Sequence, residues 1–418
     1  MNFFDYRKGE LFAEDVPLKE IIAKFGSPVY IYSAKTLLRH INAYAEAFKG
    51  RESVICFALK ANSNAAVVRL FAKNGAGADV VSGGELFRAL KAGIPAKKIV
   101  YAGVGKTEDE IRYALKSGIL MFNVESGPEL SEIDRIAGDM KLKAPVALRI
   151  NPDVDPQTHP YISTGMKKHK FGIPIDVALD HYKLAAKLKN IEIRGVQYHI
   201  GSQLTKISPF VDSLKRALML LDRLAEMGVK VSHLDIGGGL GINYLEENPP
   251  EPADLAGKVL PLLEGRDLTL VLEPGRSLVG NAGVLVTKAL YIKEGEEKNF
   301  VIVDAGMNDL MRPSLYGAYH HILPVSKSRR GNFVADVVGP ICESGDFLAR
   351  DRELPRVKQG ELLAVMSAGA YGYSMSSTYN SRPRVAEVMV NGEDFELVRE
   401  RETYKDLVRG ELVPGFLK

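Results

Sequence analysis

Eight short apolar runs, each followed by a helical pattern, constrain this chain more than any other feature of its sequence. They are VICFAL (Val54 to Leu59), ADVVS (Ala78 to Ser82), IVYAG (Ile99 to Gly103) and MFNVES (Met121 to Ser126). VALRI (Val146 to Ile150), GVQYHI (Gly195 to Ile200), HLDIG (His233 to Gly237) and LTLVLE (Leu268 to Glu273) follow. The runs are continuous rather than alternating, the pattern of parallel strands covered on both faces. Helix punctuation lies between them. Thr107 with Glu110 and Ser126 with Glu129 have capping-box spacing. Ser208-Pro209 opens a helix that Gly228 ends, and Gly75, Gly93 and Gly118 close others. Eight β/α units of this length predict an α/β fold of the TIM (β/α)8 barrel type, about 250 residues in size.

The chain of 418 residues is longer than one core supports. After Gly280 its texture changes: VLVTKALYI, NFVIVD, NFVADVVG, ELLAVMS and RVAEVMV are strands with polar turns and little helix between them. These predict a mostly antiparallel β-barrel or sandwich. The expected division is a barrel over 35–280 and a β domain of 1–34 plus 281–418, with PVYIYS (Pro28 to Ser33) able to pair in either. The polar stretch Asn151 to Gly172 is too rich in Pro, Asp and Lys for core, and a long loop at this end of a barrel would overhang an active site.

Composition excludes several classes. The 55 Lys+Arg against 52 Asp+Glu leave a net charge of +3, too little for a nucleic-acid partner. No apolar run approaches the ~20 residues of a membrane span, and Asp5, Arg7, Lys8 and Glu10 occupy the place of a signal peptide's apolar core. Cys56 and Cys342 are too few for a disulfide framework, so a reducing, cytoplasmic setting is expected.

In such a barrel, reactive groups stand at the C-terminal ends of strands and phosphate sits after strands seven and eight. Here the first strand ends at Lys60, the fifth carries Arg149, and the sixth carries His199 with Ser202 after it. The seventh runs into Gly237-Gly238-Gly239-Leu240-Gly241 and the eighth into Glu273-Pro274-Gly275-Arg276. Glycines let backbone N–H groups approach a phosphate. The run lacks G-x-G-x-x-G spacing, because Ile242 holds the sixth position, which argues against a dinucleotide site. A lone rim lysine is more often simply solvated. Lys60, however, stands with a phosphate cradle and an acid for a pyridine nitrogen, the three things pyridoxal phosphate requires of a protein.

The strings FALKAN, DVVSGGEL, RINPDVDPQTHPYISTGMKKHKFG, YHIGSQ, DIGGGLG, LEPGRSLVG, GPICESGDFLA and GAYGYSMSSTYNSRP run in order from about residue 28 to 385. Together they closely resemble the diaminopimelate decarboxylase family, of the alanine-racemase-like fold class shared with ornithine and arginine decarboxylases. The resemblance implies decarboxylation of meso-2,6-diaminopimelate to L-lysine and CO2 with pyridoxal 5'-phosphate. It implies that Lys60 holds the cofactor, that Glu273 pairs with its ring nitrogen, and that His199 lies against the ring. Gly238, Gly239, Gly275 and Arg276 are to donate to the phosphate with the Tyr371 hydroxyl, while Asp79, Arg149 and Ser202 shape the pocket.

For the substrate, Arg276, Arg312 and Tyr316 match positions that grip a distal carboxylate, and Glu343 the position that meets a distal ammonium. Two arginines disfavour ornithine or arginine, whose far ends offer no carboxylate. Cys342 is the implied proton donor to the α-carbon, although a free cysteine is more often a small buried hydrophobe, the reading kept for Cys56. The resemblance also implies a homodimer in which Cys342, Glu343 and Asp346 complete the neighbouring copy's site. A racemase, which needs a second base, and a catalytically silent binder are the rival readings. His320-His321 lacks the carboxylates of a metal site. His159, His169, His181, Lys167, Lys168 and Lys170 read as polar loop or surface residues, and Glu125, facing the mouth after strand four, has no assigned role.

Overall fold

Parallel pairing of the eight apolar runs closes a barrel. The computed structural model describes residues 2–154 and 170–417. Its barrel strands are β1 Ser53–Ala58, β2 Gly77–Val80, β3 Ile99–Tyr101, β4 Met121–Val124, β5 Ala144–Asn151, β6 Ile191–Gln197, β7 His233–Asp235 and β8 Thr269–Leu272. Each pairs in parallel with the next, and β8 pairs with β1 to close the ring. Helices such as Ala65–Lys73, Glu108–Ser117 and Ser208–Glu226 cover the outside. Inside, Cys56, Val100, Met121, Ala147 and Val271 form an apolar plug. The Cys56 thiol is raised by burial and donates to the Lys98 carbonyl at 3.5 Å, the behaviour of a packing residue.

The helix signals act as their chemistry predicts, with small shifts. Thr107 and Glu110 form a reciprocal capping box, and Gly118 ends that helix in the left-handed conformation. Ser126 caps the next helix through Glu129 N, but the Glu129 carboxylate turns back to Glu125 N and to Lys106 Nζ instead of closing the box. The buried Lys106 ammonium outcompetes the second cap bond. Lys60 falls in a 3-10 turn, Leu59–Ala61, beyond β1, and His199 lies two residues past β6.

The barrel unit spans Leu37–Val279, and a second compact unit is formed by the residues up to Thr36 and those from Gly280 onward. The second unit is a mostly antiparallel sheet built around Gly283–Lys293. Val29–Ser33, which could have paired in either region, is antiparallel to Gly283–Lys293 and parallel to Ala386–Asn391. Val29, Ile31, Val284, Val286, Val388 and Val390 of these three strands share one core. Phe347–Pro355 and Asp394–Arg399 are additional strands whose charged, half-exposed faces hid them from an apolar-run reading. No described helix is long and apolar enough to cross a membrane.

Gly77 has no room for a side chain: a Cβ would lie 2.1 Å from the Lys98 carbonyl oxygen between β2 and β3. Gly77→Ala should therefore cost about 1–3 kcal/mol through forced backbone movement. Gly257→Ala, in the helix Pro252–Val259 with open space around it, should be neutral or stabilising. Thermal unfolding of the two variants checks this; equal Tm values would contradict it.

Candidate active site

The C-terminal ends of the barrel strands gather acids and bases in one layer. Lys60 Nζ contacts Asp79 Oδ2 at 2.7 Å, with Asp79 completely buried on β2 and its Oδ1 unpartnered. Register places this pair together, because Ala58 lies opposite Asp79 across β1 and β2. Beneath them, Glu273 Oε1 and Oε2 accept from Asn123 Nδ2 at 3.0 Å and Gln197 Nε2 at 3.3 Å. Burial, reinforced by the Asp235 and Asp79 carboxyls, raises Glu273 well above the ordinary carboxylate range.

The glycine run after β7 is fitted to its neighbours' backbones. A Cβ on Gly237 would meet the Tyr198 carbonyl at 2.6 Å, one on Gly238 the Glu273 carbonyl at 2.2 Å, and one on Gly239 the Gly201 carbonyl at 2.5 Å. Gly237 and Gly239 also have positive φ, +67° and +122°. The Gly238 N–H, expected to face a phosphate, donates to His199 Nδ1 at 3.2 Å. That bond fixes Nδ1 as an acceptor. Desolvation, with Arg149 and Lys60 nearby, keeps the imidazole neutral, well below its usual range.

Arg276, at the start of the short helix Arg276–Val279, is buried. Its Nε and Nη2 donate to Ser202 Oγ at 3.3 and 3.0 Å, and Nη1 to the Tyr244 hydroxyl at 2.8 Å. Ser202 thus orients the arginine, and Tyr244 joins it without any sequence signal that could have named it. Glu125, left without a role, accepts from Arg149 Nη1 at 2.6 Å, Gly103 N at 3.3 Å and Gly172 N at 2.8 Å. One carboxylate thereby ties the ends of β3, β4 and β5 to Gly172. The expected overhang falls largely outside the described residues, as do His159, Lys167, Lys168 and His169.

The remaining expected residues lie on the β unit. Arg312 is buried, its Nε donating to His320 Nε2 at 3.4 Å, and Tyr316 presents its ring 5.9 Å from the guanidinium. His320 Nδ1 bonds the Met366 carbonyl at 2.9 Å, so His320 supports Arg312. Tyr371 sits in a left-handed turn with φ +55°. Cys342 is exposed, its N–H donating to Asn380 Oδ1 at 2.8 Å, and the Tyr379 hydroxyl donates to Glu343 Oε2 at 3.1 Å. Asp346, expected to face a neighbouring copy, is instead buried within its own chain. Its oxygens accept from Met307 N and Ile341 N, each at 2.6 Å, which shapes the Cys342 loop. The reason is that two unsatisfied backbone donors are better met by a buried carboxylate than by water.

Comparison with known proteins follows this geometry. Residues 34–280 match the family model described as pyridoxal-dependent decarboxylase, pyridoxal binding domain. A diaminopimelate decarboxylase of Aquifex aeolicus is 53% identical over 98% of this chain and 97% of that protein. One from Pseudomonas aeruginosa is 54% identical over 98% and 99%. The crystal structure of the M. jannaschii diaminopimelate decarboxylase in co-complex with L-lysine superposes with a TM-score of 0.95 at 42% identity, covering 99% of each chain.

Glu125→Ala would strand the buried Arg149 cation. The expected loss of unfolding free energy is about 3–5 kcal/mol, with Glu125→Gln, which keeps an acceptor, losing less. Urea unfolding measures both, and a cost no larger than that of a surface substitution would remove Glu125 from this role.

Proposed function

The chain belongs to the diaminopimelate decarboxylase family, and from that premise we propose that it converts meso-2,6-diaminopimelate to L-lysine and CO2 with pyridoxal 5'-phosphate. The observation that carries this reading is the buried Glu273 carboxyl, met by neutral amides, in the same barrel end as the Lys60 amine and the glycine turn. A protonated ring nitrogen is the cation such an acid lacks, and the unpartnered Asp79 Oδ1 leaves an acceptor free beside the amine. The cofactor fits this donor set. Lys60 would hold it covalently, Glu273 would meet its ring nitrogen, and the backbone N–H groups of Gly239, Gly275 and Arg276 would meet its phosphate with the Tyr371 hydroxyl, while the Gly238 N–H stays with His199. When bound, it supplies the electron sink that accepts the electron pair left as CO2 departs.

The chain's own groups do the rest. Asp79 holds the Lys60 amine in place. Neutral His199, fixed through Gly238, offers a flat, uncharged face beside Arg149. Arg276, oriented by Ser202 and Tyr244, and Arg312, oriented by His320, are the guanidiniums we assign with Tyr316 to the distal carboxylate, with Glu343 for the distal ammonium. The Cys342 thiol would donate its proton to the α-carbon. Both Cys342 and Glu343 are exposed in the single chain, which supports a homodimer in which each serves the other copy's site. We place the enzyme in the cytoplasm, where two free cysteines stay reduced.

Incubation with pyridoxal phosphate and meso-diaminopimelate should release CO2 and lysine, with no CO2 from ornithine, arginine or lysine. Turnover of ornithine instead would overturn the specificity assigned to the arginines. Borohydride followed by peptide mapping should place the pyridoxyl group on Lys60, and its absence there would restore the silent-binder reading. Mixing inactive Lys60→Ala and Cys342→Ala chains should restore about a quarter of the activity, since half the random dimers carry one intact site. No recovery after verified exchange would contradict shared sites.

A further inference from the structure

Beneath the mouth lies a carboxyl that the roles above leave unused. Asp235, the last residue of β7, is completely buried. Its Oδ2 and Glu273 Oε1 share a single amide donor, Asn123 Nδ2, at 3.2 and 3.0 Å. Asp235 Oδ1 accepts the Gly237 N–H at 2.9 Å, while Gln197 Nε2 serves Glu273 Oε2. Asn123 and Gln197 both turn their NH2 groups to the acids and leave their own oxygens without a partner, the orientation two acceptors demand. Drawn to one amide nitrogen, the two acids as carboxylates would stand side by side in a dry interior, and a proton on one of them relieves that repulsion.

Among the described residues no second cation stands beside the pair to replace that proton. Lys60 faces Glu273 but already holds Asp79, and Cys56 and Tyr198, the other titratable groups beside the acids, are neutral with raised pKa values. Two unit charges 4 Å apart repel by about 4 kcal/mol at an effective dielectric of 20, and amide donors do not cancel this. Burial pushes Asp235 up to about 7 and raises Glu273 well above its usual range, and the Gly237 N–H on Asp235 favours the charged form there, which leaves the proton to Glu273.

We propose that Asp235 is a positioning residue: it and Glu273 form one buried pair with a single proton, which Asp235 holds on Glu273, ready for donation to the ring nitrogen that pyridoxal phosphate would present. This deepens the reading above and rests on it for the identity of the acceptor. That donation would break the Glu273 O–H bond and form an N–H bond on the ring. Glu273 would become a carboxylate as the ring gained the proton, so the buried group would keep one net negative charge throughout. Asp235 touches neither cofactor nor substrate; its charge stands behind Glu273 and favours the protonated ring.

Infrared spectroscopy of the full-length protein, stripped of cofactor and then reloaded, tests this. The stripped protein should show a protonated-carboxyl C=O band at neutral pH that Glu273→Gln removes and that cofactor binding abolishes. Asp235→Asn should lower the pH midpoint of that band by at least about one unit, and lower kcat about tenfold in the loaded enzyme with KM little changed. Asn123→Ala, which withdraws the shared donor, should move the midpoint upward, so opposite shifts are read from two independent variants. A wild-type protein without the band, or an Asp235→Asn midpoint equal to wild type, overturns the proposal. The band in the stripped protein reports on the pair even if Lys60 proves to hold no cofactor, so the two readings fail separately.

Discussion

The close approach of backbone to backbone after β6, β7 and β8 sets the positions of most groups at the barrel mouth. Gly237 and Gly239 press against carbonyls of the segment following β6, and Gly238 presses against the Glu273 carbonyl. A side chain at any of the three would separate these segments. The same contacts bring the Gly238 N–H to His199 and draw Glu273 N to the Gly237 carbonyl at 2.8 Å. The glycines were expected to make room for an anion. In the fold they first make room for the protein itself.

On that frame three cations of the barrel end each take one acid, while Arg276 rests on the Ser202 and Tyr244 hydroxyls. Lys60 takes Asp79, Arg149 takes Glu125, and Lys106 takes Glu129. Glu273 and Asp235 are left with neutral donors only, among the bonds described. In a low-dielectric interior a carboxyl without a cation holds its proton or awaits a cationic ligand. The surplus acid is therefore the part of the barrel that speaks most directly of a cofactor, and the paired ones hold geometry.

Support from behind recurs around the candidate residues. Arg276 leans on Ser202 and Tyr244, Arg312 on His320, Cys342 on Asn380, Glu343 on Tyr379, and the Cys342 loop on Asp346. Long guanidiniums held by fixed partners lose little further freedom when a carboxylate arrives. The groups that contact the partners, rather than the substrate, thus set how well each arginine is preorganised.

The sequence by itself determined the elements and the inventory of chemistry. Continuous apolar runs at regular spacing dictate parallel strands, and capping residues such as Thr107 and Gly118 fix helix ends locally. Family motifs named Lys60 and Cys342 as reactive, Glu273 as the partner of a ring nitrogen and Arg312 as the grip on a carboxylate. Only the tertiary structure decided who stands beside whom. Glu125 meets Arg149 and Gly172, Asn123 bridges Asp235 and Glu273, and Tyr244 reaches Arg276, partners 24 to 150 residues apart in the chain. It also decided that Val29–Ser33 joins the β unit and that Asp346 turns inward. Such pairings leave no local signature, because spacing along the chain carries no information about contacts made through closure of a barrel. The physical reason is that strand order and register, fixed by burial of both faces of every strand, bring these side chains into one layer only once the ring is complete.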